Sequence, residues 1–148
     1  MPTSVQRRKG GSTAGLTNLA NASARFTVIL SQTGTLAARA GFGAFRAPFP
    51  CVLETLDMAV QSLGGTSGAT SVDVNLATAP GSDAATILVA PFSLAYNAAN
   101  LFLTKVPSCA PLVVGSGNVI SADVDAVPGT ASAGLTVSLV LRATHVAS

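Results

Sequence analysis

The heptapeptide SVDVNLA at residues 71–77 alternates strictly, with Val72, Val74 and Leu76 on one side and Asp73 and Asn75 on the other. A period of two is the period of a strand with one face in a core and the other toward polar surroundings. Upstream, across the Gly-rich GGTSGAT, the segment CVLETLDMAVQSL at 51–63 puts Val52, Leu56, Met58 and Val60 on one side and Thr55, Asp57 and Gln61 on the other. A helical stripe through Leu53, Leu56, Val60 and Leu63 competes. The strand reading is preferred because Gly64-Gly65 closes the segment like a hairpin turn.

Further back, RFTVILS at 25–31 is a β-branched run that ends in the turn-like Gln32-Thr33-Gly34-Thr35, and LAARAGFGAFRAPFP at 36–50 is interrupted by Gly41, Gly43, Pro48 and Pro50. Residues 1–23 show neither a period of two nor one of 3.6, and their Gly, Ser, Thr and Asn content reads as an extended arm. Downstream of the central strand, a loop with Pro80, Gly81 and Ser82 leads to the strand candidate ATILVA. Two more candidates follow, around Phe92–Tyr96 and Leu101–Val106, and then an irregular connection in which Pro107 and Pro111 bracket Cys109. NVISADVDAV, the loop PGTASAG and LTVSLVLRATHV close the chain, and the last two long strands are expected to form an antiparallel hairpin. About eight short strands separated by Gly/Pro loops predict an all-β, two-layer antiparallel β-sandwich, jelly-roll-like, over residues 24–148, with the arm at 1–23. No segment repeats at a fixed period, so a solenoid or propeller is not indicated.

Composition agrees with this reading and narrows the function. The 148 residues suffice for one domain with a core of its own. Only 9% are charged and 49% are apolar, against about 25% charged in ordinary soluble domains. With one Glu in the chain, helix formers with charged ends are nearly missing. A chain so apolar and so sparsely charged is expected to associate with copies of itself or with a partner. The net charge of +2 is unevenly spread. Residues 1–46 carry six cations (Arg7, Arg8, Lys9, Arg25, Arg39, Arg46) and no acid, whereas 47–148 carry six acids against Lys105 and Arg142. The division favours an amino-terminal arm lying on an acidic partner or on a neighbouring copy; a solvated basic tail is the plainer alternative.

Several functions are disfavoured. The basic start lacks the apolar run of a secretory signal. Residues 84–104 are uncharged and long enough for a bilayer span, but Pro91, Asn97 and Asn100 argue for two buried strands and no membrane role. Cys51 and Cys109 lack metal or redox spacing and read as two small buried hydrophobes, a bridge between them staying open. His145 is the only histidine. A catalytic triad or a His-bearing metal site would rest on it alone, so no catalytic residue, metal or cofactor is expected. Asp123 and Asp125 lie two apart on one strand and read as solvent-face carboxylates or as partners for an arm's arginines; a part of a calcium site is the lesser alternative, since no further ligands are marked. GGTSGAT, GFGAF and VGSGNV do not match a phosphate loop. Arg7, Arg8 and Lys9 without interleaved aromatics argue against a nucleic-acid partner.

The order FRAPFPCVLETLDMAV, GATSVDVNL, AATILV and GSGNVISADVDAVPGTASAGLTVSLVLR resembles small β-sandwich domains of tailed-bacteriophage structural proteins, found in capsid decoration (cement) proteins, head fibres and tail fibres. The resemblance covers roughly residues 45–142 and departs at Phe92–Pro111, which is longer and more apolar than that family's pattern. It implies a virion protein, assembled in the host cytoplasm, that self-associates, often as a trimer, and it implies no catalytic residues. The leading expectation is a decoration protein that binds the major capsid protein or another virion component through Arg7, Arg8, Lys9, Leu16 and Leu19 of its arm. A fibre or receptor-binding module is the alternative, disfavoured by one Tyr and no Trp. A jelly-roll coat protein of a small RNA virus is weaker, because three clustered cations are few for packaging a genome.

Overall fold

The computed structural model describes residues 24–79 and 84–144. They form ten strands and no helix: β1 (Arg25–Thr35), β2 (Arg39–Arg46), β3 (Cys51–Ser62), β4 (Ala69–Ala77), β5 (Ala85–Thr86), β6 (Phe92–Ala95), β7 (Phe102–Lys105), β8 (Leu112–Val114), β9 (Val119–Ala126) and β10 (Ala133–Ala143). Two five-stranded antiparallel sheets result. One runs β1-β10-β3, with β7 and β8 sharing the far side of β3; the other runs β2-β9-β4, with β5 and β6 sharing the far side of β4. The order is nested, since β1 lies beside β10 in one sheet and β2 beside β9 in the other. The expected all-β sandwich is the fold, with ten strands where about eight were expected.

The alternating apolar residues meet between the sheets. Leu56, Met58, Leu135, Val137, Leu139 and Leu141 of the first sheet and Val72, Val74, Phe92, Ile120, Ala122 and Val124 of the second are buried in one core. On β3 the alternation changes phase. Thr55 and Leu53 pair with the successive residues Val140 and Leu141, so Glu54 is the extra residue of a bulge. The bulge turns Cys51 and Leu53 into the core and leaves Val52 outside the core cluster, which corrects the expected grouping of Val52 with Leu56.

Four expectations about connections are also corrected. Gly64-Gly65 does not close a hairpin: β3 and β4 belong to different sheets. Nor do β9 and β10 form a hairpin, because the Pro128-Gly129 segment carries the chain from one sheet to the other. These two crossings pair with each other through a Gly65–Thr130 bridge, and a Cβ at Gly64 would run into the Thr130 carbonyl oxygen. Close approach of two backbones, not a tight turn, is what demands glycine there. The Leu36 amide joins them by donating to the Ser132 carbonyl at 2.9 Å, and Thr70 and Ser132 share a buried hydroxyl–hydroxyl bond beneath. Gln32–Thr35 is a bulge within β1 and not a turn, and the Gly-interrupted stretch after it forms β2, with Gly41 at φ +62° where the register shifts.

The stretch from Ala85 to Lys105 holds three short strands, β5, β6 and β7, one at each strand candidate, which corrects the count of two buried strands. Of the expected strand ATILVA only Ala85–Thr86 pairs, while Ile87 and Leu88 plug the core and Val89 is exposed. Among the described residues no helix is long and apolar enough to cross a membrane.

Candidate functional site: the two outer faces

Every side chain on a strand that does not enter the core stands on an outer face, so the fold presents two flat surfaces of different chemistry. On the β1-β10-β3 sheet the register aligns Arg25, Arg142 and Val52 across the strands, beside the bulged Glu54. Arg25 Nε donates to Glu54 Oε1 at 2.9 Å and its Nη2 to Oε2 at 3.3 Å, a two-pronged contact, while Arg142 Nε lies 3.7 Å from the same Oε1. The hydrogen bond from Arg25 holds the Glu54 carboxyl below its ordinary range; burial opposes it, and the charges of Arg25 and then Arg142 add to the lowering. The other acid of this face, Asp57, accepts the Thr104 hydroxyl at 2.6 Å. Around these satisfied charges stand large apolar side chains open to solvent: Ile29 (62% exposed), Phe102 (60%) and Val113 (69%).

The outer face of the β2-β9-β4 sheet is acidic. Asp73 of β4 lies directly opposite Asp123 of β9, and Asp125 follows two residues later, at the point where the β4–β9 register shifts. Asp123 is held from both sides: its Oδ1 accepts the Gly41 amide at 2.5 Å and its Oδ2 the Asn75 side-chain amide at 2.7 Å. Asp73 Oδ1 accepts the Thr86 hydroxyl at 2.6 Å and the Val74 amide at 2.9 Å. Asp125 is different. Partial burial, and then the charges of Asp73 and Asp123, push its carboxyl above the ordinary range. Among the described residues none of these three acids has an ion-pair partner. Nor does any group of three or more His, Cys, Asp or Glu stand in a geometry that could hold a metal.

Arg7, Arg8, Lys9, Leu16 and Leu19, expected to bind a partner, lie outside the described residues, as does His145. Cys51 is buried and free as expected; Cys109 is also free but exposed, which corrects its reading as a buried hydrophobe. The reason is local, since Cys109 sits in the irregular connection between β7 and β8 and not on an alternating strand. Asp73 joining Asp123 and Asp125 was missed, although each sits on the polar side of its strand. Cross-strand register was the missing signal. At the edge of the sandwich Val89, Ala90, Thr104, Lys105 and Val106 line an open groove of about 400 Å³ with no titratable group other than Lys105.

The sequence matches no family model and no curated protein. In fold it is similar to a chain of the acidic stable capsid structure of Helicobacter pylori bacteriophage KHP30, with 11% identity, a TM-score of 0.53, and coverage of 84% of this chain and 92% of that one. A chain of the cyanophage Pam1 capsid asymmetric unit aligns over 81% of this chain and 84% of that one, with 14% identity and a TM-score of 0.43.

Proposed function

We propose that this chain is a non-enzymatic structural protein of a phage virion, a cement or decoration protein that binds the capsid shell through its amino-terminal arm and through self-association, as a trimer. The observation that carries the reading is the likeness in fold to a chain of a phage capsid structure over 92% of that chain's length, at a TM-score of 0.53. The nested strand order, which we read as a jelly roll, agrees with it.

The surface chemistry supports the same reading. Mutually paired charges beside exposed Ile29, Phe102 and Val113 leave a face that can be covered without stranding an unpaired charge. The carboxylates Asp73, Asp123 and Asp125, without an ion-pair partner among the described residues, offer a sister subunit's Arg7, Arg8 and Lys9 a surface of opposite sign. Each exposed ion pair contributes only about 0–1 kcal/mol, so attachment depends on many copies acting together and on burial of Leu16 and Leu19.

The test is to add the purified full chain to capsid shells that lack it and to follow co-sedimentation and the temperature at which the shells break. Saturable binding that raises the breakage temperature is expected. Shells that neither bind the chain nor gain stability contradict the cement reading, and binding to tail or fibre components instead moves the chain to the fibre class.

A further inference from the structure

A two-sheet sandwich has four sheet edges, and each edge displays unpaired backbone N–H and C=O groups that can recruit another strand. Three of the four carry features that discourage this. The β7/β8 edge is split into pieces of four and three residues, with Lys105, Pro107 and Pro111 in or between them. The β5/β6 edge is split into pieces of two and four residues with Pro91 between them. The β2 edge is bulged at Gly41 and has Arg39 and Arg46 at its ends. Short strands, proline, bulges and charge are the means by which edges are kept from pairing.

The fourth edge has none of these along most of its length. β1 has eleven residues, contains no proline, and after Arg25 carries no charged side chain. Its ladder with β10 runs without a register shift from Arg25 to Gln32. Among the described residues no strand pairs with its other side. Alternate amides and carbonyls over that stretch are therefore directed away from the sheet.

We infer that the free edge of β1 is a pairing site for the β1 of a second copy, joined antiparallel about a twofold axis at Ile29. The occupant follows from the strand's fit to itself. With Ile29 facing Ile29, Val28 meets Leu30, Thr27 meets Ser31, Phe26 meets Gln32 and Arg25 meets Thr33. Core-facing residues thus stay on the core-facing side and outward residues on the outward side, as pairing between half-buried strands requires. The exposed Ile29 side chains cover one another. No like charges oppose, because the one cation, Arg25, faces a hydroxyl and is already engaged by Glu54. The contact does not depend on the virion reading; alongside a threefold association it would join trimers in pairs.

Disulfide trapping reads such a contact whether it is weak or tight. In a full-length Cys109→Ser background, Ile29→Cys places two thiols opposite each other across the axis, at the roughly 4.5–5.5 Å Cα spacing of an antiparallel pair, which a disulfide can span. Val113→Cys, on an equally exposed residue of the far edge, is the control. Cys51 does not compete, being buried with its thiol pushed above the ordinary range. Under mild oxidant the Ile29→Cys protein, at about 10 μM, is expected to form covalent dimers on the order of a hundredfold faster than the control, as for an effective concentration of about 1 mM. Adding Thr27→Lys and Ser31→Lys, which sets ammonium groups against each other, is expected to abolish the difference. Dimers forming no faster than in the control, or at an unchanged rate with the two lysines present, would overturn the inference.

Discussion

On the outer face of β1-β10-β3, Glu54 lies between two guanidinium groups and Asp57 is capped by a hydroxyl; on β2-β9-β4, Asp73, Asp123 and Asp125 gather with no ion-pair partner among the described residues. Both faces come from the same alternating pattern, yet one satisfies its charge internally and the other leaves it over. A face of the first kind can be covered by apolar surface without stranding a charge. One of the second kind attracts cations, and its acids repel each other until something neutralises them. The same sheet pattern can thus supply two contacts of different character to an assembly.

Both faces rest on one core shared by the two sheets. Leu139→Ala, on the first sheet, is expected to lower stability by about 2–5 kcal/mol, and probes on either sheet should report a single shared unfolding transition. Separate transitions would mean that the two faces do not belong to one body.

A smaller effect is expected from the acidic face itself. Asp123 accepts from a backbone amide on β2 and from Asn75 on β4, so it ties three strands together despite its like-charged neighbours. Asp123→Ala is expected to cost roughly 1–2 kcal/mol in denaturant unfolding, as for hydrogen bonds to a charged group that are partly open to water. A stabilised variant would show that repulsion outweighs the clamp.

The smallest and most discriminating effect is the response to acid, which carries opposite signs on the two faces. Glu54 titrates lower in the folded protein than in the unfolded chain, so its contribution is present above the unfolded value and is lost as pH falls through the folded one. Asp125 titrates higher when folded, so its ionisation costs stability above the folded value and the cost disappears as pH falls through it. Asp125→Asn is therefore expected to raise the melting temperature at neutral pH by about 1–2 °C after allowance for solvent screening. Glu54→Gln is expected to lower it slightly and to weaken the loss of stability in acid. Equal shifts of the same sign would erase the distinction between the faces.

Much of this arrangement could be read along the chain, and the remainder fails for identifiable reasons. Alternation placed Val72, Val74, Met58 and Leu139 in the core correctly, because a strand's inward side depends only on its own period. Which sheet a strand joins does not depend on that period. Gly64-Gly65 and Pro128-Gly129 look like hairpin turns locally, but they serve two crossings that lie against each other, bridged from Gly65 to Thr130, far apart along the chain. Bulges are similarly silent: the one at Glu54 reverses the sides of Val52 and Leu53, and the one near Gly41 lets a Gly-rich stretch pair as β2. The pairing of Asp73 with Asp123 is a matter of register between strands about 50 residues apart, which single-strand periodicity does not report. The residues expected to bind a partner, Arg7, Arg8, Lys9, Leu16 and Leu19, lie outside the described residues.

Under the proposed function, attachment to the shell resides in residues 1–23 and the sandwich folds without them. Deleting residues 1–23 and measuring occupancy on shells tests this directly. A folded sandwich with an unchanged melting transition that no longer binds the particle is expected, and Arg7→Ala with Arg8→Ala is expected to weaken binding mainly at low salt. Decoration by the truncated protein at wild-type occupancy would contradict it and assign the contact to the faces of the sandwich.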